Sequence, residues 1–156
     1  MNNFVNPNLK VVFDRAEVIT GVSKHGEPYT ALDIFVKHSG VSFSHRLFDP
    51  KDSKPAKYRV NGFIKNMVDE LGGELPPSGF TFDSFKEYIE FVAEEVNKLK
   101  GVVVYVKMLK NDAGWHRFGY TLPVFSNTPH MEWSPFEMEK ISVTSGVVKD
   151  ETPIQN

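Results

Sequence analysis

Apolar and polar residues alternate along much of the first third of the chain. In residues 9–20, Leu9, Val11 and Phe13 alternate with polar neighbours, and the apolar parity then shifts to Ala16 and Val18. A bulge near Asp14 and Arg15 produces such a shift: one extra residue bends the strand and restores inward pointing beyond it. Residues 21–28 form a polar loop, and residues 29–38 alternate again with Leu32, Ile34 and Val36 on one face. Ser39-Gly40 signals a tight turn into a third strand over residues 41–48. With His38 opposite Val41, Val36 meets Phe43, Ile34 meets His45 and Leu32 meets Leu47 on the inner face. The outer face then collects Phe35 with Ser44, Lys37 with Ser42, Asp33 with Arg46 and Ala31 with Phe48.

The period changes after Asp49-Pro50. A loop to Lys57 precedes Val60, Phe63, Ile64, Met67, Val68 and Leu71 at helical spacing, and Gly72-Gly73 supplies a stop. Ser84-Phe85-Lys86-Glu87 is a capping-box pattern that opens a second helix with the stripe Phe85, Tyr88, Ile89, Val92, Val96 and Leu99. Residues 102–109 and 115–122 read as two more strands joined by an Asp112-Ala113-Gly114 loop. Their expected register sets Val104, Val106 and Met108 against Leu122, Tyr120 and Phe118 inside. Tyr105, Lys107 and Leu109 then lie opposite Thr121, Gly119 and Arg117 outside. Beyond Pro123 the pattern fades. Residues 1–131 are expected to form one domain with a helical insertion at 57–100, and residues 132–156 an acidic, loosely ordered tail.

Composition narrows the function classes. The chain has 156 residues, 40% of them apolar and 24% charged, enough for a single folded core. It lacks cysteine, which excludes disulfides, thiolate zinc sites and cysteine nucleophiles together. No apolar run reaches the roughly 18 residues of a membrane span, and residues 1–10 lack a signal-peptide pattern, so no membrane association and a cytoplasmic location are expected. The formal charge of −2 disfavours polyanion binding by the whole surface, yet the charge is segregated. Residues 8–66 hold ten Lys or Arg against six Asp or Glu, and residues 101–131 three against one. The acids concentrate at 83–100 and 132–156.

Three strands, a helical insertion and a closing hairpin make a mainly β chain whose element order resembles the five-stranded OB-fold barrel. The long first strand with its parity shift carries a further likeness, as do the loop Val22-Ser23-Lys24-His25-Gly26-Glu27-Pro28-Tyr29 and the strand Gly101-Val102-Val103-Val104-Tyr105-Val106-Lys107. Together they look like phage-type single-stranded DNA-binding proteins, over residues 9–125. The resemblance implies a non-enzymatic protein of phage replication or recombination, in the host cytoplasm, with single-stranded DNA, or alternatively RNA, as ligand. Many members end in a dense acidic run that docks replication partners. Here the end is Lys149-Asp150-Glu151-Thr152-Pro153-Ile154-Gln155-Asn156, and residues 49–101 hold two helices where the family usually has one.

A single strand offers bare base faces and one negative charge per nucleotide, so its site needs flat rings beside cations. Tyr29, Phe35, Phe48, Tyr105 and Trp115 are the candidate platforms, with Phe48 and Trp115 the two most readily lost to packing. Lys37, Arg46, Lys107 and Arg117 are candidate phosphate partners, Lys24 and His25 are placed to close the groove, and Gly119 leaves room for a base. Arg46 opposite Asp33 equally suits a cross-strand ion pair. The five histidines show no zinc spacing, and His45 reads as a hydrogen-bonded inner residue. Asp49 and Asp52 with Lys51 and Lys54 superficially suggest a metal-dependent nuclease, but sit in a Pro-flanked loop that reads as a solvated turn. No cofactor motif or metal site is expected. A protein-interaction module docking through Trp133, Phe136 and the tail is the alternative from a different class.

Overall fold

A computed structural model describes residues 8–77, 80–110, 116–118 and 122–129. The loop at 111–115, Gly119, Tyr120, Thr121 and the tail beyond 129 lie outside the described residues, and with them Trp115, Trp133 and Phe136. Among these residues six strands and two helices follow in the order β1 (Asn8–Val22), β2 (Pro28–His38), β3 (Val41–Phe48), α1 (Lys54–Leu71), α2 (Phe85–Asn97), β4 (Val103–Lys110), β5 (His116–Phe118) and β6 (Phe125–Ser126).

The strands form one antiparallel sheet in the order β3-β2-β1-β4-β5, with β6 also paired to β4. The sheet is open where the sequence suggested a five-stranded barrel: among the described residues β3 and β5 do not hydrogen-bond. Aromatic side chains bridge the gap instead. The His45 ring of β3 stacks on Phe118 of β5 at 5.1 Å and on Phe63 of α1 at 4.9 Å.

The β2–β3 register follows the turn at Ser39 and Gly40, both with positive φ, and runs from His38 opposite Val41 to Ala31 opposite Phe48 as expected. The β1 bulge is also in place. Pairing with β2 shifts between Phe13 and Arg15, and at the same point β1 parts from β4, with Phe13 N–H donating to Val102 O at 2.8 Å. One bend therefore lets β1 serve two neighbours, β4 before it and β2 on both sides of it.

The final hairpin departs from the expected one. Met108 pairs with Phe118 and Leu109 with Arg117 as predicted, but Val106 pairs with Phe125 and Tyr105 with Ser126 of β6. Leu122, expected inside against Val104, is 44% exposed and lies over Gly62 of α1. Asn66 of α1 fixes the returning chain: its carboxamide oxygen accepts from both Val124 N–H and Phe125 N–H at 2.7 Å, and its nitrogen donates to Phe125 O.

Helix α1 begins earlier than the apolar stripe indicates. Ser53 caps it by accepting from Ala56 N–H, and Pro55 falls in the first turn, where a missing N–H costs nothing. Its expected stripe is buried throughout, and Gly72 at φ 95° ends it. At α2 half of the capping box forms, with Ser84 Oγ accepting from Glu87 N–H at 3.1 Å, while Glu87 accepts from Asp83 N–H rather than from the cap residue. Ile89, Val92, Ala93 and Val96 join the α1 stripe, the inner faces of β1 and β2, Leu47 of β3 and Val104, Val106 and Met108 in one core. No helix among the described residues is long and apolar enough to cross a membrane.

Candidate functional site

The opposite face of the sheet is where the candidate residues fall. Directly paired residues point the same way. The registers therefore align Phe48 and Arg46 of β3 with Ala31 and Asp33 of β2, and these with Ile19 and Glu17 of β1. Tyr29 sits beside Gly21, and Phe35 beside Arg15. Before the bulge, Val12 lies between Lys37 and Val103, and Lys10 between His38 and the paired Tyr105. Tyr29, Phe35, Phe48 and Tyr105 thus share one face of the sheet with the half-exposed Val12 and Val103, while Ala31 and Asp33 between Tyr29 and Phe35 are buried.

The rings are not equally available. Phe35 is roofed by the Arg15 guanidinium, 3.9 Å from its centroid, so a base reaches that ring only by displacing Arg15. Arg15 is itself held by Asp14 and Glu17. Phe48, a candidate for loss to packing, is instead 52% exposed. Tyr29 meets it edge to face at 5.7 Å, and the Arg46 guanidinium stands about equally over both rings, at 6.0 and 5.9 Å.

Gly21 makes the Tyr29 pose possible. A Cβ at that position would lie 2.8 Å from the Tyr29 hydroxyl oxygen, so the bare backbone lets the ring fold across β1. The two rings then form one wall of a cleft of about 610 Å³, whose other sides include Thr20, Val22, Asp49, Lys51 and Lys86.

The cations divide into committed and uncommitted groups. Arg46 grips Asp33 through two bonds of 2.7 and 2.9 Å, and this pairing raises its pKa above the usual arginine value. The ion-pair reading of Arg46 is the one its geometry supports most directly. Asp14, buried at the bulge, gathers Arg15, Lys100 at 3.3 Å and Lys37 at 3.9 Å. Burial alone would raise the Asp14 carboxyl, but the hydrogen bonds from Arg15 and Lys100 and the charges of Lys100 and Lys37 outweigh it, leaving its pKa lowered.

Lys107 corrects the expectation for β4. Placed outside by strand parity, it is nevertheless fully buried, between Asn8 of β1 and the segment whose Val124 O accepts its backbone N–H. A phosphate cannot reach it there. Among the described residues, Lys10, Lys24, Lys51 and Lys86 take part in no ion pair, and all are exposed. Lys24 and His25 lie at the tip of the β1–β2 turn, closed by Ser23 N–H to Glu27 O at 2.7 Å. Arg117 is paired with Leu109 along the backbone; its side chain, like Trp115 and Gly119, lies outside what is described.

Sequence reasoning missed Lys10, Arg15, Lys51 and Lys86. Lys10 and Arg15 become visible once the β1 registers are written with the bulge included. Lys51 and Lys86 have no local signal, since a loop and a helix start 35 positions apart meet only in the folded chain. In the loop at 49–52 the Asp49 carboxylate accepts Lys51 N–H at 2.8 Å, and among the described residues no three potential metal ligands converge. No protein-family model matches the chain, and no curated protein matches it.

Proposed function

We propose that this protein binds single-stranded nucleic acid, DNA in the first instance, as a non-enzymatic OB-type domain. Its ladder order β3-β2-β1-β4-β5, with helices inserted between β3 and β4, supports an OB-type architecture left open along the β3–β5 seam. The observation that carries the functional reading is the cleft beside Tyr29 and Phe48. Two adjacent rings stand at its wall, and two lysines without ion pairs stand around it. Rings supply sequence-tolerant stacking, and lysines that break no existing pair on binding supply phosphate contacts at the least cost.

Polarity fits the same ligand. The outer surface mixes half-exposed apolar groups with exposed lysines outside any ion pair among the described residues, so it offers local positive potential without a strongly basic protein. Roles in phage replication or recombination follow from this reading together with the resemblance of residues 9–125.

The test is a titration of labelled oligo-dT at several salt concentrations. Affinity should fall with salt at a slope of roughly −0.7 per phosphate contacted. With Lys24, Lys51, Lys86 and Lys10 engaged, the slope is roughly −3. No binding at low salt, or binding indifferent to salt, rejects the proposal.

A further inference from the structure

The cleft does not end at Lys51. Asp49 and Lys51 also wall, with Pro50, a second groove of about 690 Å³, which runs between the start of α1 and the segment leading into α2. Its lining includes Phe80, Phe82, Phe85 and Tyr88, more aromatic surface than the first cleft holds. Phe82 is the hub, 4.9 Å from Phe80, 5.2 Å from Tyr88 and 5.6 Å from Phe91.

Packing accounts for only part of this cluster. Phe85, Tyr88 and Phe91 pack against the core beside the buried Ile89, Val92, Ala93 and Val96, whereas Phe80 is 58% exposed. The Tyr88 phenol is neutral at neutral pH, and burial raises its pKa further, to about 12. Lys57, exposed in the first turns of α1, joins Lys51 on the lining, and neither is in an ion pair among the described residues.

We infer that this groove is a second subsite for single-stranded nucleic acid, continuous with the first across the turn at residues 49–51. It takes bases against Phe80 and Tyr88 and phosphates at Lys51 and Lys57. The inference rests on the reading proposed above, and adjacency argues for it: Asp49 and Lys51 line both clefts, so the second set of rings begins where the wall bearing Phe48 ends. A chain of stacking platforms beside spaced cations is what a flexible polyanion with flat side groups fits.

Length dependence tests it. Anisotropy titrations with oligo-dT from about 4 to about 16 nucleotides, the range of site sizes for one such fold, are run on the full chain and on Phe80→Ala and Lys57→Ala. Both positions are exposed, and thermal melts check that each variant remains folded. The short oligomers should bind the variants as they bind the unmodified protein. The long ones should bind Phe80→Ala at least about fivefold more weakly, the lower end of what one stacked base contributes. Affinity for Phe80→Ala unchanged at every length overturns the second subsite and leaves the first cleft standing. Equal weakening at every length also overturns it, because Phe80 would then act within the first site or through the fold. Failure of the unmodified protein to bind any oligomer overturns the underlying reading instead.

Discussion

Replacing Phe48 by alanine separates a ring that is open to a base from one that is not. Phe48 is 52% exposed, so truncation forfeits about half of the roughly 1.5–3 kcal/mol that full burial of such a side chain contributes. It also loses the edge-to-face contact with Tyr29, about 0.5–1.5 kcal/mol. The fold should lose about 1–3 kcal/mol and melt about 2–12 °C lower, remaining native at room temperature. Binding should suffer as well. A stacked base lost costs about 1–3 kcal/mol, or about 5- to 150-fold in Kd. Phe35→Ala is the control, because its partly buried ring lies under Arg15 at 3.9 Å. Anisotropy with oligo-dT, paired with thermal melts, reads both effects. The reasoning is refuted if Phe48→Ala binds as tightly as the unmodified protein, or if Phe35→Ala loses more affinity than Phe48→Ala.

Three further outcomes follow from the same geometry. Arg46→Ala strands the largely buried Asp33 carboxylate and should cost about 1–2 kcal/mol by denaturant melts, at the lower end for a charged hydrogen bond because Arg46 is partly solvated; Arg46→Lys should recover less than half, since one ammonium cannot reproduce the two-pronged bond. Asp14 has a lowered pKa in the folded state, so the stability it contributes is present above the unfolded carboxyl value of about 3.9 and disappears as pH falls through the folded one. Asp14→Asn should therefore be less stable than the unmodified protein at pH about 7, with the gap closing in acid and shrinking with salt; a gap that widens in acid contradicts the assignment. Gly21→Ala should push the Tyr29 ring off β1, leaving the melting temperature little changed because the clash is with the far end of a mobile side chain, yet weakening oligo-dT binding as Tyr29→Ala does.

Local chemistry made some of this architecture legible before any coordinates. Ser39-Gly40 dictates a tight turn, and a tight turn dictates every pair from His38–Val41 to Ala31–Phe48. The shift of apolar parity at Asp14 announces a bulge because only an inserted residue returns Ala16 to the core. Parity failed where coverage decides exposure. Lys107 occupies an outward position by alternation, but periodicity carries no information about which distant segment passes beside a strand. The alternation of residues 115–122 resembled one long strand for the same reason, whereas Asn66, from a helix more than 50 positions earlier, draws Val124 and Phe125 alongside β4 instead. The candidate site was legible as a set of rings and cations on one face. Which ring is roofed and which lysines are uncommitted depends on cross-strand partners such as Arg15 over Phe35, and on Lys51 and Lys86 meeting through tertiary structure.

Backbone amide NMR of the 17.7 kDa chain, titrated with a short oligo-dT, addresses the central claim most directly. Saturable shifts should concentrate at Gly21, Tyr29, Phe48 and Lys51 and spread along the outer face toward Lys37, while the α1 stripe around Ile64 and Met67 stays still. Shifts centred on that helix, or spectra indifferent to the oligomer, would contradict the assignment of this face to single-stranded nucleic acid.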